Sequence, residues 1–238
     1  MGKNRALIAI ALASACLSAC APKPEIPFDR AAGPPIKTIG VLTPKTPDGA
    51  AVILATDVGR SFGLIGALVD AGMRASRETK FKAALASENF SFNDVSSKAL
   101  KDCLVQAGYA VVDVPVTRSS SGFLKTYPKA ADTKVDAYLD TVILGYGYVA
   151  AGIGDSTPYR PALQAQVRLV RAADASILMD DTIIYDPIGS PVNAVTISPP
   201  ESYQFTNFDS LVADPLHAVA DLDDAIVQSE QAACRLLR

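Results

Sequence analysis

The stretch from 137 to 185 constrains the fold more than any other part of the chain. Residues 137–151 are rich in β-formers and predict one long strand. Gly145 and Gly147 inside it predict a bulge or a close backbone approach. Residues 162–171 then alternate, with Leu163, Ala165, Val167 and Leu169 on one face and Gln164, Gln166, Arg168 and Val170 on the other. A period of two is the mark of a half-buried strand. Ala172-Ala173-Asp174-Ala175-Ser176 supplies a turn, and 177–185 returns as the partner strand of a hairpin.

Helical segments alternate with further strands. Residues 36–42 and 51–55 read as strands, and 62–86 as a long helix. The turn at 91–94 places an N-cap at Asn93 or Asp94, and Ala99, Leu100, Cys103, Leu104 and Ala107 share one face of a helix over 95–107. Gly108 stands where a helix ends, and 109–116 follows as a strand. A loop over 117–134 holds Ser119-Ser120-Ser121-Gly122. Residues 209–237 read as helix, with Val219, Leu222, Ile226, Ala233 and Leu237 on one stripe. The expected class is α/β: a mixed sheet with helices packed on it, a C-terminal hairpin and a long C-terminal helix. Residues 36–238 suit a single domain. Apolar residues make up 49% of the 238 and the net charge is only −3, which excludes wholesale disorder and a strongly basic nucleic-acid binder.

The amino terminus carries an address. Lys3 and Arg5 precede a charge-free apolar run over 6–17. The run is too short for a membrane span of about 20 residues and fits the core of an export signal. It ends in Leu17-Ser18-Ala19-Cys20, which resembles the bacterial lipobox. The resemblance implies diacylglycerol on the Cys20 thiol, cleavage after Ala19 and acylation of the new amino group. Two or three acyl chains, palmitate among them, anchor a protein stably to a bilayer. Ala21, where such lipoproteins carry Asp for inner-membrane retention, then implies the outer membrane, with the domain in the periplasm. Residues 21–35 hold five prolines and read as an extended tether.

A second resemblance rests on the strand with Leu144-Gly145-Tyr146-Gly147-Tyr148, the hairpin running from Val167-Arg168-Leu169-Val170-Arg171 to Ile177-Leu178-Met179-Asp180-Asp181-Thr182-Ile183, and the late helix. In order of elements, 36–237 is similar to the α/β domain of the TolB amino-terminal domain, the curli secretion lipoprotein and related outer-membrane assembly lipoproteins. That resemblance implies a non-enzymatic role inside an envelope complex, with an envelope protein or a second copy as partner.

Several motifs carry competing readings. Maturation leaves Cys103 and Cys234, which beyond the inner membrane are either a disulfide or two separate buried thiols. Gly59-Arg60-Ser61-Phe62-Gly63 matches the nucleophile-elbow pattern, and His217 lies downstream. Ser61 with His217 is therefore the candidate pair of a small serine hydrolase, against a bland reading in which Ser61 caps a helix. One histidine builds no metal site, and no cofactor motif survives: Gly145-Tyr146-Gly147-Tyr148-Val149-Ala150 is followed by Gly152, Gly154, Pro158 and Pro161, which forbid a dinucleotide-binding helix. Asp221, Asp223 and Asp224 read as a solvated helix face, and Asp180 and Asp181 point to opposite sides of a strand. Gly63, Ala67, Ala71 and Ala75 recur every four residues in a segment that is uncharged over 62–69 and includes Gly66. Such a ridge either packs on its own sheet or offers Gly63, Gly66, Ala67 and Ala71 to a partner. Tyr146 and Tyr148 are candidate contacts for a small ligand or envelope polymer.

Overall fold

A computed structural model describes residues 25–54, 71–118, 121–150, 158–187 and 191–238. The described strands are β1 (Thr38–Leu42), β2 (Ala51–Leu54), β3 (Ala110–Val114), β4 (Ala137–Ala150), β5 (Tyr159–Arg171), β6 (Ile177–Tyr185) and β7 (Val195–Ile197). The helices are α1 (Ala71–Ser87), α2 (Phe92–Gln106), the single turn α3 (Ala130–Thr133), α4 (Phe208–Ala213) and α5 (Pro215–Arg235). The strands form one mixed sheet in the order β3-β1-β4-β5-β6-β7, and β2 pairs with the far half of β4. This is the expected α/β class, with the hairpin as β5 and β6.

The fourteen-residue β4 organises the sheet, and its phase changes partway. Ala137, Leu139 and Ile143 join the core under the helices, and after the register shift between Ile143 and Gly145 so do Tyr146, Tyr148 and Ala150. One extra residue moves the inward face from odd to even positions. At Gly147, φ is +140°, and a Cβ there would lie 2.0 Å from the Ala51 carbonyl oxygen. Only glycine lets β2 pair this closely.

Local signals set most element ends, with three corrections. Ser91, not Asn93 or Asp94, caps α2: its Oγ accepts from the Asp94 N–H at 3.4 Å. Starting the helix earlier buries Phe92, which meets the ring of Tyr146 at 4.4 Å. The expected single C-terminal helix is two, because Pro215 disfavours helical geometry at the preceding Asp214, which instead caps α5 with its carboxylate. Asp221 does not lie on a solvated face: it is 2% exposed, beneath Tyr148 and His217. Gly108 ends α2 as expected, at φ +90°, with Gly108 N–H to Val105 C=O and Tyr109 N–H to Leu104 C=O. That pair of bonds is the Schellman arrangement.

The segment 25–35, part of the stretch 21–35 read from its prolines as an extended tether, lies along the domain. Ile26 exchanges both backbone hydrogen bonds with Asp180, and Phe28 packs on the core cluster that holds Leu104, Leu139 and Leu237. Arg30 donates to the Leu237 carbonyl and to the Tyr109 hydroxyl, and Arg171 donates to the carbonyls of Ala32 and Pro34.

Candidate functional site

A cavity of about 420 Å³ lies outside the carboxyl ends of β1 and β3, beside the first turns of α2. In the sheet β1 lies between β3 and β4, although β2 follows it in the chain, so the cavity sits at the ends of strands distant in sequence. The wall combines apolar Val41, Leu42, Leu100 and Val114 with polar groups that include Asn93, Asp94, Ser96, Thr141 and Glu230. Lys101 and Asp113 pair at 2.8 Å on the exposed rim.

Glu230 is the buried acid of this wall, only 4% exposed. It sits there because its position falls on the apolar stripe of α5, four residues after Ile226 and three before Ala233. Its Oε1 accepts from the Ser96 hydroxyl at 2.5 Å, tying α5 to α2. Burial pushes its pKa up to about 7, against the opposing pull of that hydrogen bond. The group can thus donate toward the cavity as the acid and accept as the carboxylate.

The raised value fixes a pH dependence. The folded state holds the Glu230 proton more tightly than the unfolded chain, so this stability is complete below about pH 4.5 and lost as pH rises toward 7. Ionisation at pH 8 then costs on the order of 3 kcal/mol. Glu230→Gln keeps the acceptor for Ser96 and removes the titration. Its melting temperature is expected to exceed that of wild type by roughly 6–12 °C at pH 8 and to match it at pH 5. Parallel melting curves for the two proteins across this range would refute the desolvated acid.

The other candidate residues fall in different places. Cys103 and Cys234 are joined as a disulfide between α2 and α5, with Cα atoms 6.2 Å apart. Tyr146 and Tyr148 contribute to the wall of a second cavity of about 280 Å³, but their rings are core residues. Tyr148 packs edge-on against Phe81 and Phe205, and its hydroxyl donates to the Ala218 carbonyl and to Asp221. His217 stands in the first turn of α5, Nε2 3.4 Å from Asp221 and Nδ1 3.7 Å from Asp214, so each ring nitrogen faces a carboxylate. Leu17, Ser18, Ala19, Cys20, Ser61, Gly63, Gly66 and Ala67 lie outside the described residues, and Ala71 opens α1. Asp180 and Asp181 do point to opposite faces: Asp180 binds Arg168 at 2.6 Å, while Asp181 lies opposite the inward Val167. Among the described residues no group of three or more His, Cys, Asp or Glu side chains is placed to hold a metal, and no helix is long and apolar enough to cross a membrane.

Sequence reasoning passed over Glu230. The signal was an acid on an apolar stripe, which marks either a break in the stripe or a buried titratable group.

No family model matches the chain, and no curated protein matches it. Solved structures similar to it include two crystal forms of the PelC dodecamer from Paraburkholderia phytofirmans. One, a variant, is 10% identical over 82% of this chain and 95% of that one, with a TM-score of 0.32. The other is 12% identical over 82% and 93%, with a TM-score of 0.28. A lipoprotein from Neisseria meningitidis is 14% identical over 62% of this chain and 81% of that one, with a TM-score of 0.26.

Proposed function

We propose that the chain is a lipoprotein held to the periplasmic face of the outer membrane by acyl chains on Cys20, and that it acts as a non-enzymatic interaction or assembly component of the cell envelope. The observation that carries this reading is Leu17-Ser18-Ala19-Cys20 behind a short, charge-free apolar run. The Cys103–Cys234 disulfide supports it, because such bonds persist in oxidising compartments beyond the cytoplasm. The assembly role rests on the uncharged segment around Gly63, Gly66 and Ala67, whose small residues suit close contact with a partner.

Two measurements test it. Growth with a clickable palmitate analogue is expected to label the wild type and to leave Cys20→Ser unlabelled and released from the membrane fraction. An unlabelled wild type would end the anchoring reading. In-cell cross-linking is expected to trap a partner or a second copy, and Gly66→Leu or Ala67→Leu to abolish that product without changing the melting temperature. Cross-links that survive both substitutions would remove that face from the proposal.

A further inference from the structure

The docked segment 25–35 changes what an anchor at Cys20 does. The seventeen residues between Cys20 and β1, if unattached, would reach about 60 Å, more than the roughly 40 Å diameter of a 200-residue domain, and would impose no orientation. The described fold instead begins at Glu25, with Ile26 already bonded to Asp180 at 2.8 and 3.0 Å. Only four residues lie between Cys20 and Glu25, and the five steps of chain span at most about 18 Å at full extension. With Cys20 acylated, the domain edge that holds Glu25 therefore stays close to the bilayer.

Register identifies that edge. On one side Asp180 faces Arg168 of β5, so Ile26 occupies the opposite side of β6, where β7 pairs with Ile183 to Tyr185. Glu25 lies close enough for its charge to act on Asp181. Glu25 thus sits next to β7 and the residues just before it. This edge has the chemistry of a membrane interface. Residues 187–200 contain no charged side chain, and Val192 is 67% exposed. This uncharged stretch, bounded by Asp186 and Glu201 and with exposed Glu25 nearby, can lie at a lipid surface with little desolvation cost while the flanking carboxylates stay in water.

We infer that the β6–β7 edge, with the loop around Val192, rests on the lipid surface, and that the opposite β3 edge points away from it. The inference depends on the acylation of Cys20 proposed above. The chain has no tryptophan, so single introduced tryptophans report cleanly. Val192→Trp marks the proposed contact, and Val105→Trp marks the outer surface of α2, which packs beside β3; both valines are exposed, at 67% and 59%. Acylated protein is placed on vesicles of zwitterionic phospholipid brominated high in the acyl chain. The Val192→Trp emission is expected to fall at least twofold relative to unbrominated vesicles, and that of Val105→Trp to stay constant. A ten-residue Gly/Ser insertion before Glu25 is expected to erase the difference while the protein still floats with the vesicles.

Equal quenching at both positions in floated protein would overturn the orientation and leave the anchor intact. Shielding of Val192→Trp that needs no bilayer and follows protein concentration would also overturn it, in favour of a second copy at this edge. Protein that does not float would instead refute the anchoring on which the inference rests.

Discussion

Replacing Cys103 and Cys234 together by alanine is expected to cost about 5 kcal/mol of stability and to lower the melting temperature by roughly 10–20 °C. The bond closes a loop with a sequence separation of 131, and cross-linking that much chain removes a large part of the unfolded ensemble's freedom. It also pins α2 to α5, the most closely packed helix pair among the described residues. Both sulfurs are buried, with Cys103 beside Leu100 and Leu104 and Cys234 beside Ala233 and Leu237, so the alanines also lose packing. Equilibrium unfolding in guanidinium, for the wild type and the double variant, measures the difference. A loss below about 1 kcal/mol would mean that the bond does not constrain the unfolded chain. The Glu230–Ser96 hydrogen bond joins the same two helices, so the two contributions are coupled and need not add.

The sequence was most legible where one local signal acted alone. Alternation from Leu163 to Leu169 with an Asp-containing turn dictated the β5–β6 hairpin, and Gly108 dictated the end of α2. It was less legible where two signals competed. Asp221 looks solvated when read with Asp223 and Asp224, but it follows Ala218 and precedes Leu222, both inward. Burial pushes its carboxyl up while the charge on His217 pulls it down. Pro161 stands just outside the strand expected over 162–171, yet β5 extends through it: Pro161 lies opposite Tyr148 of β4, and β6 pairs only as far as Leu163, so no β6 partner needs its missing N–H. The cavity beside Glu230 was invisible for a different reason. Its wall is drawn from β1, α2, β3, β4 and α5, and no periodicity reports which strand ends meet. The pairing of the cysteines stayed open at sequence level because two amphipathic helices have no set relative position until the sheet they pack on is built.

Asp140→Ala is expected to cost about 3–5 kcal/mol and to loosen the whole segment that covers the sheet face opposite the helices. The Asp140 carboxylate is fully buried and holds three donors: the Arg118 guanidinium at 2.6 Å, the Leu124 N–H at 2.9 Å and the Tyr127 hydroxyl at 3.1 Å. Burial and the nearby negative charge push Tyr127 up to about 12, so its hydroxyl remains a donor at any physiological pH. Truncating the acid strands the Arg118 side chain, itself 5% exposed, and leaves a backbone N–H without its acceptor. The double variant Arg118→Met, Asp140→Leu is expected to lose far less than Asp140→Ala, because apolar pairs of similar volume replace buried ion pairs at little cost. Proteolysis supplies a second readout. Lys125 and Lys129 are exposed on this segment, so trypsin should cut there much faster in Asp140→Ala than in wild type. Unchanged cutting with a large stability loss would place the effect in the sheet and not in the clasp. A double variant no better than Asp140→Ala would show that the charges themselves, rather than the stranded partner, determine the cost.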